Sequence, residues 1–117
     1  MTVKFADLFA EGHRALRENR LSDSRAIFYD GVRKASLESD RSSLAEALIG
    51  LAQAESAIGN CAAAQHQYAN AVLLYREIGP PAMLASTLRR QADMLVQLDK
   101  PQEAEPLYLE AEKLYRL

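Results

Sequence analysis

The sequence predicts an all-α chain built from three antiparallel helix pairs. Small-large-small triplets recur at an unbroken spacing of 40 residues: Ser24/Phe28/Gly31, Ala64/Tyr68/Ala71 and Ala104/Tyr108/Ala111. A fixed period of this size marks an architecture of stacked repeats. Apolar residues throughout are spaced by three and four, the spacing of one helical face. Alanine, leucine, glutamate and arginine dominate, and these are strong helix formers. With five glycines, four prolines and no tryptophan in 117 residues, β-rich architecture is not expected. Stacked repeats present an interaction surface rather than a catalytic pocket.

The first helix is expected from Thr2 to Glu18, with apolar positions Phe5, Leu8, Phe9, Ala15 and Leu16. After the joint Asn19-Arg20-Leu21-Ser22, Ser22 is placed to cap a second helix. That helix runs to about Leu37 and carries Ser24, Ile27, Phe28, Gly31, Val32 and Ala35. Glu38-Ser39-Asp40 is the next break. A third helix bears Leu44, Leu48, Leu51, Ala52 and Ile58, and Gly59 is placed to end it. Asn60 suits the cap of a fourth helix, whose inner face is Ala64, Tyr68, Ala71, Val72 and Tyr75. Gly79-Pro80-Pro81 stops it, because proline suits a helix's first turn and not its interior. The fifth helix presents Leu84, Leu88, Ala92, Leu95 and Leu98. Asp99 is the expected cap of a sixth, with Pro101 in its first turn and Ala104, Tyr108, Ala111 and Tyr115 facing inward.

Composition narrows the function. The length suits one compact domain, residues 1–117, with repeats at about 5–40, 45–80 and 85–117. A formal net charge of −2 gives no positive field for nucleic acid or an anionic membrane. No apolar run approaches the roughly 20 residues of a membrane span, and the N-terminus lacks a secretory apolar core. One cysteine, Cys61, permits no internal disulfide, which fits a reducing compartment. A cytoplasmic protein is expected. Residues 1–40 hold seven basic and seven acidic side chains, whereas 41–80 hold two and three. That depletion suits a central repeat covered on both sides.

The first helices obey the same period: Leu8, Leu48 and Leu88 correspond, as do Gly12, Ala52 and Ala92. Small residues at Gly12/Ser24/Gly31, Ala52/Ala64/Ala71 and Ala92/Ala104/Ala111, with aromatic Phe28, Tyr68 and Tyr108, resemble the tetratricopeptide repeat family. The resemblance covers essentially the whole chain. Its period exceeds the usual 34 residues and looks like the longer-helix variant of kinesin light chains. The turn glycine stands only at Gly59, with Asn19 and Asp99 elsewhere, and the closing proline is displaced to Pro80 and Pro81.

The resemblance implies a right-handed solenoid whose first helices line a concave groove that binds a protein or peptide. By position the groove residues are Phe9, His13 and Leu16, then Glu46, Ile49, Gln53 and Ser56, then Ser86, Arg89, Asp93 and Val96. Co-chaperone members clamp a C-terminal carboxylate with Lys and Asn. The matching positions here are Phe9, His13, Gly50, Ser86 and Arg90, of which only Arg90 suits, so no chaperone-tail clamp is expected. An alternative function is self-assembly as a homodimer through the last helix, where Leu107, Leu114 and Leu117 are expected near the stacking face.

No enzyme is expected, and no cofactor or metal. His13, Cys61 and His66 lack the converging partners that a metal or nucleophile needs. Glu103, Glu105, Glu110 and Glu112 read as a solvated face, and Arg89-Arg90 is too small a patch for nucleic acid. Tyr68, Tyr75, Tyr108 and Tyr115 fall on the core stripe, and Tyr29 is expected to be exposed.

Overall fold

Links of two or three residues force each helix to reverse on the one before it. The computed structural model describes residues 3–117. It contains α1 (Phe5–Arg17), α2 (Leu21–Leu37), α3 (Arg41–Ile58), α4 (Cys61–Ile78), α5 (Pro81–Gln97) and α6 (Pro101–Tyr115). Each helix packs on its successor, and α1 also touches α3. The result is an all-α helical repeat array measuring 45 × 29 × 21 Å. The expected start of the first helix at Thr2 lies outside the described residues.

The links explain why α2, α4 and α6 start 40 residues apart, at Leu21, Cys61 and Pro101. Left-handed residues occur at Asn19, Ser39, Gly59, Gly79 and Asp99, with φ between 54° and 101°. At four of the five links the next backbone N–H reaches back to a helical carbonyl: Arg20 to Ala15, Asp40 to Ala35, Asn60 to Glu55 and Lys100 to Leu95, at 2.8–3.0 Å. These bonds satisfy carbonyls that a helix end leaves open. The fifth link has Pro80, which has no N–H to donate.

This geometry corrects two expected caps. Asp99, at φ 61°, closes α5 and lies one residue too early to cap α6, which Lys100 precedes. Ser22 is already the second residue of α2, because the link from α1 ends at Arg20. Asn60 holds the expected position, but its amide donates to Glu55 Oε2 at 2.8 Å instead of capping α4. Pro106 lies inside α6, where it denies a partner to an early carbonyl on an exposed face.

One true side-chain cap is Asp40. Its Oδ1 accepts from the Ser43 backbone N–H at 3.0 Å and its Oδ2 from the Ser43 hydroxyl at 2.9 Å. These bonds favour the charged form and hold the Asp40 carboxyl below its ordinary value of 3.8. The stability they confer is fully present above pH 3.8 and is lost as pH falls through the lowered folded value. Asp40→Asn keeps a capping oxygen but has no titration. Its melting temperature is expected to fall less steeply than that of wild type between about pH 5 and about pH 2.

Packing follows the small-large-small pattern. Phe28 is wholly buried, and α1 and α3 approach its ring through Gly12 and Gly50. Ser24, also wholly buried, donates to the Gly12 carbonyl at 2.9 Å. Phe9, Phe28, Ala47 and Leu51 form the core between the first two repeats. Ala45, Val72, Tyr75, Leu84, Ala85, Leu88 and Ala111 form a second core joining α3 to α6. The charge-poor middle is covered as expected: α3 buries eight residues and α6 two.

Two expectations for exposed faces change. Tyr115 is 53% exposed rather than on the core stripe, while its neighbour Leu114 faces the core; Tyr29 is exposed as expected. Glu110 is more than a solvated carboxylate. Arg76 of α4 donates to both its oxygens, at 2.5 and 2.9 Å, and holds its carboxyl below the usual range. The pair tethers α6 to α4, though at this exposure it adds little stability.

Candidate functional site

Five of the expected groove residues meet in one depression. Phe9 and His13 come from α1, and Glu46, Ile49 and Gln53 from α3. Positions 46, 49 and 53 lie on one face of α3 because a helix repeats every 3.6 residues. The depression encloses about 260 Å3, below the roughly 300–1,000 Å3 of small-molecule pockets. It is about large enough for one side chain.

The wall is apolar with a few acceptors. Phe9 is only 9% exposed and stacks on Phe28, so it forms floor rather than a projecting contact. Ile49 is half-buried between two core clusters. His13 sets its ring edge-on to Phe28, with centroids 4.9 Å apart. Burial lowers its pKa and the Arg17 charge lowers it further, while Glu46 acts in the opposite sense. His13 therefore favours the neutral form. Gln53 Oε1 is buried without a protein hydrogen-bond partner.

Two lining residues were not expected from the sequence, Tyr75 and Met83. Tyr75 is part of the core, as its position on the inner stripe of α4 predicts, and it also borders the depression. Burial raises its pKa, and Glu46 adds to the shift. Met83 lies three residues before Ser86, on the same helical face, which is the signal that would have found it.

The remaining positions are dispersed. Leu16, Ser56 and Ser86 are half-buried and Val96 is exposed, and none of them lines the depression. Arg89 borders a different hollow with Tyr108, Ala111, Glu112, Tyr115 and Arg116. Asp93 accepts a 2.5 Å hydrogen bond from the Tyr108 hydroxyl, whose pKa is pushed up to about 12. On the last helix, Leu107 and Leu114 pack against the core of their own chain, and Leu117 is 93% exposed.

Among the described residues no cluster of three or more metal-ligating side chains occurs, and no helix is long and apolar enough to cross a membrane. Cys61 is a free, half-buried thiol and His66 is exposed.

Stacked antiparallel helix pairs with a 40-residue period define a helical-repeat array. A sequence profile described as "Tetratricopeptide repeat" matches residues 43–116, and the chain belongs to the tetratricopeptide repeat family. That membership suggests a protein–protein interaction scaffold. No curated protein and no solved structure matches the chain.

Proposed function

We propose that the chain is a scaffold that binds a protein or peptide segment in the groove formed by α1, α3 and the start of α5. The observation that carries this reading is the convergence of Phe9, His13, Glu46, Ile49 and Gln53 on one depression. Phe9, Ile49 and Met83 supply apolar contact for one side chain of the partner. Glu46 and the unpartnered Gln53 Oε1 supply acceptors, so the matching segment carries an apolar residue flanked by hydrogen-bond donors. Leaving an acceptor unpaired costs stability, and a partner that donates to it recovers that cost.

Peptides selected from a random display library and titrated into isotope-labelled protein test this. Shifts are expected to concentrate at His13, Glu46, Ile49 and Gln53. Glu46→Lys, an exposed change, reverses the charge at the rim of the depression and is expected to weaken the selected peptide by about tenfold, equivalent to about 1.4 kcal/mol. Shifts confined to other faces, or unchanged affinity in the variant, would refute the groove reading. Phe9 is unsuited to such a test because its substitution disturbs the core.

A further inference from the structure

A second depression lies on the far side of α3 from the groove. It encloses about 550 Å3, within the range of small-molecule and side-chain pockets. Leu51 and Glu55 form its floor, two residues along from Ile49 and Gln53 and therefore about half a helical turn around. Its walls include Arg25, Tyr29 and Asp30 of α2 and Gln67 of α4.

The 40-residue period shows what is unusual here. The positions of Glu55 and Gln67 recur as Leu95 and Leu107. Those leucines pack with Ala92 and Ala104 in an apolar cluster. In the middle repeat the same two positions are polar, although Glu55 is only 7% exposed. Burying a carboxylate and an amide costs free energy unless both are paired, so the apolar pair would serve packing better.

Their pairing is incomplete. Glu55 Oε2 accepts from Asn60 at 2.8 Å. Arg25 Nε stands 3.7 Å from Oε1, close enough to attract and too far for a hydrogen bond. Gln67 Oε1 is buried with no protein donor. Both incompletely served groups are acceptors. The lining holds two carboxylates, Asp30 and Glu55, against the one guanidinium of Arg25, and the exposed Tyr29 ring offers a face to a cation.

We propose that this cleft binds an alkylguanidinium or alkylammonium group, which donates to Glu55 and Gln67 while its stem lies along Leu51 and Tyr29. Such a group is either the end of an arginine or lysine side chain of a partner protein or a free small amine. The site is independent of the groove on the other side of α3.

The test is a titration of isotope-labelled protein at constant ionic strength, followed by NMR. One arm uses agmatine, and the other uses the capped peptide Gly-Gly-Arg-Gly-Gly. Saturable shifts are expected at the Gln67 side-chain amide and around Glu55. Glu55→Gln is expected to weaken binding at least tenfold. The double variant Glu55→Leu/Gln67→Leu, which copies the third repeat, is expected to abolish binding while still unfolding cooperatively. Peptide binding at least tenfold tighter than agmatine supports the site and assigns a protein side chain as its ligand; equal or weaker peptide binding supports the site and assigns a free amine. No saturable shift with either probe, or unchanged shifts in Glu55→Gln, overturns the proposal.

Discussion

Leu88→Ala is expected to lose about 2–5 kcal/mol of stability, toward the upper part of that range. Leu88 is wholly buried, and its core cluster joins α3, α4, α5 and α6. Truncation removes apolar contact and leaves a cavity whose cost depends on how far the surroundings collapse. Here they collapse little, because Ala45, Ala85 and Ala111 in the same cluster have only a methyl group and no rotatable chain to extend into the space. Repeat arrays depend on contacts between neighbouring repeats, so the loss weakens the second and third repeats together. Urea unfolding monitored by circular dichroism measures the effect. Leu109→Ala, on a residue 51% exposed, is the control and is expected to change stability by no more than about 0.5 kcal/mol. Equal effects at the two positions would contradict the packing described for Leu88.

Gly50→Ala is the second large effect, with an expected loss of about 1–3 kcal/mol from overpacking. A Cβ at position 50 would stand 2.2 Å from the Phe28 ring, closer than atoms tolerate. The ring has nowhere to go: a Cβ at Gly12 would meet it at 2.7 Å from the side of α1, and Phe28 has no solvent exposure. Alanine normally stabilises a helix interior by about 1 kcal/mol relative to glycine, so intrinsic propensity predicts the opposite sign. Denaturant unfolding of Gly50→Ala, Phe28→Leu and the double variant decides between them. The smaller leucine should absorb the added methyl and make the double variant more stable than the sum of the single losses. A stabilised Gly50→Ala would mean that the ring has room the structure does not show.

Glycine at position 50 illustrates what could be read in advance. The triplet around Phe28 marked a large residue between small ones on α2, and the structure buries it completely. Its partner in the next repeat was not legible. Periodicity assigns a residue to a helix face, whereas the helix that covers that face belongs to another part of the chain. The same gap explains the caps. Asp99 and Ser22 are good capping residue types, yet the bonds from Lys100 to Leu95 and from Arg20 to Ala15 set where the links end.

The candidate site divides in the same way. Glu46, Ile49 and Gln53 were identifiable because positions on one helix face stay together in any fold that keeps the helix. Arg89 and Asp93 followed the same rule on α5, but α6 draws them toward Tyr108 and its hollow. Tyr75 and Met83 entered the groove from helices whose approach no local pattern encodes. Glu55 and Gln67 were visible as letters, and their contrast with Leu95 and Leu107 was available from the period alone. Their incomplete pairing was not, since it depends on where Arg25 and Asn60 reach across helices.

By itself the sequence determined six helices, their 40-residue period and the small-large-small faces along which they stack. These follow from local backbone preference and from the apolar spacing of each helix, which act within about one turn. Only the tertiary structure decided which residues share a depression, which acceptors remain unpaired and that Tyr115 stays exposed. Those outcomes depend on distances between segments far apart in the chain, and packing sets those distances only once all six helices are in place.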